Sequence, residues 1–442
     1  MAEPIIDQPA QPAQPAQPTF RRAVSRWEIV AFSINDVIGS GVYLLPAAAA
    51  AILGAASVGA VILAGFAVLL LVLCFAEAAS HFDRPGGAYL YTRAAFGELV
   101  GFEVGWMTWI ARVSSVSSLS VGFAQALTYL WPAARAGWGQ GLAITLPLLA
   151  LTAINVIGVK SGVRTAVFLS ISKTVPLLIF IAAGAFAFSP AVFAAAGQAP
   201  KSGTLGEAAL LLLFAYAGFE NTAAPAGEFK NPRRDVPFAL IAQIVIVTLI
   251  YSAVQAVALG TLPGVASSKT PLAGAARLFL GSWGGWLMTF GAVVSILGTN
   301  SNTVLSGPRY LFALAEAGFG PRALARLHPR FRTPWIAVLA QSAIALPLAF
   351  AGTFEGLAKL SVMARLATYL GTAAAVPILR RKLPAAGAGA VRLPGGPLIP
   401  VAAALLCVVL AASAKLENLI AAAIAIAVGL AIFYLRRPAA SE

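Results

Sequence analysis

A run of polar and flexible residues interrupts the first apolar segment of the chain. Residues 35–43 read Asn-Asp-Val-Ile-Gly-Ser-Gly-Val-Tyr. Each glycine disfavours a helix by about 1 kcal/mol, and unwound backbone is tolerated at membrane depth only where it is buried or lines a cavity. Taken alone, the run has two interpretations: a broken helix that forms a binding site, or a patch of small residues that packs against a neighbouring helix.

A second interruption lies in the sixth apolar segment. Residues 214–221 read Phe-Ala-Tyr-Ala-Gly-Phe-Glu-Asn, and Pro225 follows. The two interruptions are five segments apart, and because five is odd, a second five-helix unit begins on the opposite side of the membrane. This spacing predicts an inverted repeat with two discontinuous helices and a binding site near the bilayer midplane. The pair therefore favours a binding site over simple packing.

Two broken helices supply ligands for both ends of a zwitterion. Free N–H groups at the N-terminus of a half-helix, with the positive end of its dipole, bind an anion such as a carboxylate. Free carbonyls at a half-helix C-terminus bind a cation such as an ammonium group. An amino acid carries both groups on one carbon, so we expect an amino acid as the substrate.

The chain resembles the amino acid–polyamine–organocation (APC) family in four motifs that follow one another at the right spans. These are Ile38–Tyr43 in the first span; Glu77 followed by Pro85–Tyr89; Ala215–Glu220 in the sixth span, continuing into Gly227–Pro237; and Arg309–Gly318 in the eighth span. The resemblance covers most of residues 25–435. It implies the LeuT-type fold of five-plus-five inverted repeats, usually with two further helices.

The same resemblance assigns roles to residues at the two breaks. Backbone N–H groups of Ser40 and Gly41 bind the substrate carboxylate, and Phe214 is an aromatic gate above the substrate. The remaining predicted substrate-binding positions are the amine-accepting carbonyls of Val37, Phe214, Ala215 and Ala217, together with Ile38, Gly39 and Gly218. Further gate or pocket positions are Tyr216, Glu220 and Asn302; for Glu220 a structural role toward loop backbone is the alternative.

Two ionisable residues are predicted to take part in coupling. Asp36 departs from the family pattern, in which this position is small or neutral; it is protonated, paired with Lys173, or in contact with a substrate amine. Lys173 lies in the middle of the fifth span, where a charged lysine costs roughly 3 kcal/mol and burial disfavours its charged form. By the resemblance, a fifth-span lysine replaces the sodium ion of sodium-coupled relatives. A structural ion pair with Asp36 is the other interpretation.

Other polar residues within spans carry weaker predictions. Glu103, Arg112 and Arg365 are expected to pair with opposite charges or to line the substrate path. A polar cluster at residues 300–303 either faces the pocket or forms interhelical hydrogen bonds.

Composition and apolar runs predict an all-α membrane protein. Hydrophobic residues make up 59% of the chain and charged residues 10%, whereas a soluble domain typically carries about 25% charged residues. A span needs roughly 20 apolar residues. Twelve spans are expected, at 27–52, 55–80, 98–130, 140–158, 165–188, 206–226, 237–260, 282–315, 334–352, 356–379, 398–414 and 417–435. The transporter domain is placed at 20–435, with repeats at about 27–188 and 206–379 and two extra helices at about 398–435.

Basic residues indicate the orientation of these spans. Of the 30 lysines and arginines, 21 fall in segments that are cytoplasmic if the N-terminus is inside, five fall in outside loops and four within spans. This bias predicts both termini in the cytoplasm of a multi-pass protein of the cell membrane. Residues 1–19, a Pro-Ala-Gln repeat, are predicted to be a disordered tail without a signal peptide, and 436–442 a short cytoplasmic tail.

The inventory of reactive residues argues against an enzyme. Cys74 and Cys407 lie inside apolar runs, and the sequence contains no metal-ligand spacing, phosphate loop or His-containing triad. No cofactor, metal or nucleic-acid partner is expected. We therefore predict a secondary active amino acid transporter that works by alternating access in the lipid bilayer. Proton symport is the expected coupling; a sodium-independent amino acid or amine exchanger, or less readily a non-transporting receptor, is the alternative.

Overall fold

The computed structural model describes residues 20, 22–39, 41–128, 131–196, 208–209, 212–213, 215–268, 270–383, 391–414 and 416–436. This part of the chain contains fourteen α-helices: α1 Arg26–Val37, α2 Gly41–Leu53, α3 Ser57–Ser80, α4 Ala88–Phe96, α5 Glu98–Leu127, α6 Gly137–Ile157, α7 Val159–Phe186, α8 Pro190–Ala195, α9 Pro232–Thr261, α10 Pro271–Glu316, α11 Trp335–Ala351, α12 Phe354–Lys382, α13 Leu398–Ala412 and α14 Leu416–Arg436. Its extended pairing is limited to an isolated bridge between Val24 and Phe229. The predicted all-α fold is confirmed.

The helices match the predicted spans. Within the described residues, seven helical stretches are long and apolar enough to cross a membrane, and α11 and α13 are shorter apolar helices. Helix α5 is 30 residues long but carries Arg112 and five serines between 114 and 120. The first span is divided between α1 and α2, and the sixth, 206–226, lies partly outside the described residues, as does the tail at 1–19. The chain is a multi-pass membrane protein.

Helix α10 contains a sharp change of direction near its start. Gly281 has φ 68° and ψ −161°, which separates residues 271–280 from the rest of the helix. A positive φ is strained for residues with a Cβ atom, so glycine suits this position. The span predicted at 282–315 begins directly after this break.

Helix α1 occupies the centre of the bundle. It packs against α7, α9, α10 and the short 3₁₀ helix Phe219–Ala223, while α5 packs against α10 and α12. The last helix is peripheral: 11% of the most apolar stretch of α14 is buried inside the protein, against 56% of the corresponding stretch of α12. The broken first helix is thus enclosed by the elements that carry the other polar residues of the spans.

Ion pairs join the family-like motifs at the end of the bundle where α1 begins. Arg309 on α10 forms a fully buried pair with Glu228, with Nη2 and Oε1 2.9 Å apart. Glu77 at the end of α3 pairs with Arg380 on α12. The sequence motifs contain these four residues but do not show which of them pair. One ion pair connects α10 to the loop after the sixth span, and the other connects α3 to α12.

Candidate functional site

The first break separates α1 from α2. Helix α1 ends at Val37, and Ile38 turns to extended backbone with φ −71° and ψ 93°. Because the last four carbonyls of a helix have no intrahelical partner, the acceptors around this end need other donors. Lys173, Tyr251, Ser295 and Thr299 provide them.

Lys173 places its ammonium group at the C-terminal end of α1. Its Nζ atom donates to the carbonyl of Asn35 at 2.6 Å and to the carbonyl of Ile38, and lies 3.5 Å from Thr299 Oγ1. The side chain is fully buried. A cation at this end of a helix is stabilised by the free carbonyls and the negative end of the dipole. Lys173 thus supplies a side-chain donor to the carbonyls that the break leaves free.

Tyr251 on α9 connects the two breaks. Its hydroxyl oxygen lies 3.0 Å from the carbonyl oxygen of Val37 and 3.2 Å from that of Ala215. Ser295 on α10 lies 3.1 Å and 2.9 Å from the carbonyls of Ile38 and Gly39. Hydroxyl groups from neighbouring helices therefore satisfy carbonyls that the broken helices leave free.

The second break is centred on Gly218. This residue has φ 128° and is followed by the 3₁₀ helix Phe219–Ala223. A Cβ atom at Gly218 would lie 2.7 Å from the backbone oxygen of Asp36, so glycine is required both by the backbone conformation and by the approach of the two broken segments.

Glu220 accepts hydrogen bonds from several elements next to this break. Its Oε1 atom pairs with Arg112 at 2.9 Å and with Arg365, and its Oε2 atom accepts from the hydroxyl of Tyr369 at 2.9 Å and from the N–H of Gly218 at 3.0 Å. All of these groups are buried. Glu220 thus combines the structural role toward loop backbone with a charge cluster that joins α5, α12 and the sixth span.

Asp36 lies between the two breaks. Its Oδ2 atom accepts a hydrogen bond from Asn221 Nδ2, whereas Oδ1 is buried without a hydrogen-bond partner among the described residues. The ion pairs within 4.0 Å in this part of the chain do not include one between Asp36 and Lys173. The ion-pair interpretation of these two residues is therefore not the arrangement found.

A small cavity with both polar and apolar walls lies between the breaks. Its walls come from both broken segments and from α5, α10 and α12, and are formed by Asp36, Val37, Gly39, Gly41, Ser115, Ser118, Leu119, Ala215, Ala217, Thr299, Ala358, Ser361 and Arg365. A larger cavity of about 400 Å³, lined by Tyr43 of α2, Gln125 of α5 and Thr289 and Ile296 of α10, lies beyond it on the α2 side.

The predicted site residues divide between this cavity and the packing around it. Val37, Gly39, Gly41, Ala215 and Ala217 line the cavity. The carbonyl of Ile38 and the N–H of Gly218 are bound by Lys173 and Glu220. Ser40 and Phe214 lie outside the described residues.

Two predicted gate or pocket residues bind other helices instead. Tyr216 donates its hydroxyl to the carbonyl of Val61 on α3 at 3.0 Å. Asn302 accepts from Asn35 Nδ2 at 2.7 Å and donates to the carbonyl of Phe32, so it joins α10 to α1. For the polar cluster at 300–303, the interhelical alternative describes Asn302, because this side chain bonds to α1 and does not line the cavity.

Several cavity residues were missed by sequence reasoning. Ser115, Thr299 and Ser361 line the cavity, and Tyr251 bridges the breaks. The signal for Ser115 was present in the five serines between 114 and 120 of an otherwise apolar helix. Tyr251 is a single polar position in an apolar span, which does not indicate a partner by itself.

Comparison with known proteins agrees with this architecture. The family model described as amino acid permease matches residues 24–433. The serine/threonine exchanger SteT of Bacillus subtilis is 34% identical over 360 residues, 79% of this chain and 81% of the relative. The branched-chain amino acid permease BcaP and the methylthioribose transporter of the same organism are 26% and 27% identical, each over 94% of this chain and 93% of the relative. The chain belongs to the amino acid permease family, within the APC family.

Proposed function

We propose that this chain is a secondary active transporter of amino acids that works by alternating access, coupled to protons and independent of sodium. It resides in the cell membrane with both termini in the cytoplasm. The observation that carries the proposal is the small cavity lined by both broken segments, because a midplane site at paired breaks is how such transporters bind their substrate.

The cavity supports a small polar amino acid as the substrate. Ser115, Ser361 and Thr299 contribute hydroxyl groups to the cavity walls, whose larger aliphatic residues among those described are Val37 and Leu119. The relative SteT is named a serine/threonine exchanger, whereas BcaP is named for branched-chain amino acids and a third relative for methylthioribose. The substrates named for these relatives differ, so the names alone do not select one. The hydroxyl groups of the cavity walls favour serine as the first substrate to test.

The position of Lys173 supports sodium independence. Its ammonium group occupies the carbonyls at the end of α1, which are ligands that a hard cation such as Na⁺ would otherwise take. Since a buried amine can lose its proton, Lys173 is also the residue to test for proton coupling. Asp36, the nearest acidic side chain along α1, is the second coupling position.

Exchange is the second candidate mechanism. It is favoured by SteT, the relative with 34% identity, whose name describes an exchanger. Exchange and proton symport differ in what drives uptake: an internal amino acid drives exchange, whereas a pH gradient across the membrane drives symport. A receptor would bind the ligand without accumulating it.

The test uses the purified full-length protein in proteoliposomes and labelled L-serine. An inward proton gradient is expected to raise the initial rate several-fold and to produce accumulation above equilibrium, with the same rate in sodium and in potassium buffer. Lys173→Ala is expected to remove the response to pH while the folded protein is retained. Size-exclusion chromatography in detergent monitors folding.

Other outcomes change or overturn the proposal. Uptake that requires internal serine and ignores the proton gradient replaces symport by exchange. A sodium requirement contradicts the role assigned to Lys173, as does an unchanged pH response in Lys173→Ala. Binding of serine without any accumulation would contradict transport itself.

A further inference from the structure

We propose that the Asp36 carboxylate binds the substrate's ammonium group, a task that the family resemblance assigns to backbone carbonyls of the breaks. This inference rests on the proposed transport of amino acids. It assigns the substrate class more narrowly, to molecules with a free amino group that can donate to a carboxylate.

Two of the carbonyls expected to bind the amine, and two further carbonyls at the first break, already have donors. Val37 and Ala215 share the hydroxyl group of Tyr251, and the carbonyls of Asn35 and Ile38 accept from the ammonium group of Lys173. When Lys173 is charged, a second ammonium group at these oxygens would meet a like charge. The first break is thus poorly suited to bind an amine through its backbone alone.

Asp36 has the opposite property. It is 2% exposed, it belongs to the cavity wall, and its Oδ1 atom has no hydrogen-bond partner among the described residues. A buried carboxylate oxygen without a donor is costly. A substrate ammonium group would supply both the donor and the opposite charge, and hydrogen bonds between charged groups are the stronger ones.

The orientation of the substrate follows from this contact. Gly41, the first residue of α2, lines the same cavity, and the free N–H groups of a helix N-terminus bind a carboxylate. Arg112 and Arg365 are both paired with Glu220. Asp36 and Glu220 balance the charges of Arg112 and Arg365, and a zwitterion adds no net charge to this group; Lys173 adds one positive charge at the first break when it is protonated.

The experiment compares L-serine with L-glycerate, which carries a hydroxyl group in place of the amino group. Inhibition of labelled L-serine uptake is measured in proteoliposomes for the wild type and for Asp36→Asn; where the variant no longer takes up serine, binding is measured by thermal shift. In the wild type, serine is expected to bind about 10- to 100-fold more tightly than glycerate. Asp36→Asn is expected to weaken serine binding by a similar factor and to leave glycerate within about twofold.

Asp83→Asn is the matched control. Asp83 lies in an exposed loop and pairs with Arg22 and Arg233, so the same chemical change there is expected to leave the preference for serine unaltered. If Asp36→Asn does not fold, Asp36→Glu takes its place: moving the carboxylate by one methylene group is expected to weaken serine binding and not glycerate binding.

The outcomes separate this inference from the proposed function. If the wild type neither binds nor transports any amino acid, the proposed function fails. If the wild type transports serine and Asp36→Asn keeps its preference for serine over glycerate, the inference is overturned while transport stands. An Asp36→Asn variant that loses only its response to pH would overturn it too, since Asp36 would then carry a proton rather than bind the amine.

Discussion

The two helix breaks occupy equivalent positions, each in the first span of its predicted repeat. They differ in how the free backbone groups are hydrogen-bonded. At the first break, the Lys173 ammonium group binds carbonyl oxygens at the end of α1. At the second, the Glu220 carboxylate accepts from the N–H of Gly218. A side-chain donor therefore serves one break and a side-chain acceptor the other, as the free carbonyl and N–H groups require.

The breaks also differ in how completely their charges are paired. Glu220 has two arginines and a tyrosine around it, whereas Asp36 has one hydrogen-bonded oxygen and one without a partner in the described chain. At the second break, both carboxylate oxygens of Glu220 have donors from neighbouring elements. The first break keeps an unused acceptor at the cavity, which is the property expected of a group that binds a ligand.

Removing Glu220 is expected to have the largest effect on stability. Glu220→Gln leaves Arg112 and Arg365 buried without their carboxylate, and loss of one partner of a buried ion pair costs about 3–5 kcal/mol. We expect a strongly lowered melting temperature in detergent, measured by scanning fluorimetry. The double variant with Arg112→Met should be less destabilised than Glu220→Gln alone; an equal or larger loss would show that the cluster does not depend on charge pairing.

Removing Lys173 is expected to have a smaller effect. Lys173→Met leaves the carbonyls of Asn35 and Ile38 without this donor, at a cost of about 1–3 kcal/mol, partly offset because a buried charge is also removed. A lowered melting temperature that remains above that of Glu220→Gln is the expected result. Lys160→Met is the control, since Lys160 is exposed. A melting temperature equal to that of this control would contradict the role of Lys173 at the first break.

Removing the hydroxyl group of Tyr251 is expected to have the smallest effect. Tyr251→Phe keeps the ring and removes the donor to Val37 and Ala215, and hydrogen bonds within membrane proteins are worth about 0.6 kcal/mol on average. Uptake should fall more than stability does, because the bond joins the two broken segments. Tyr434→Phe, at an exposed position, is the control. Equal uptake by the two variants would remove Tyr251 from the site.

The sequence predicts the positions of the helix breaks better than the side-chain contacts around them. Glycine and polar residues in apolar runs mark where helices end, and the described helices α1 and α2 follow that pattern. Partners of buried charges come from helices far apart in the chain, so residue spacing does not pair Arg112 with Glu220 or Lys173 with α1. For the same reason Asn302 was expected near the pocket, although it bonds to α1.

Protection of an engineered cysteine tests most directly that the substrate binds between the two breaks. Cys74 and Cys407 are buried and are replaced by alanine, and a single cysteine is placed at the cavity residue Ala358. L-serine is expected to slow the reaction of this cysteine with a thiol reagent, with half-protection near the concentration that gives half-maximal uptake, while a cysteine at Asp83 reacts at the same rate throughout. Unchanged labelling of Ala358→Cys at saturating serine would contradict a binding site at the breaks.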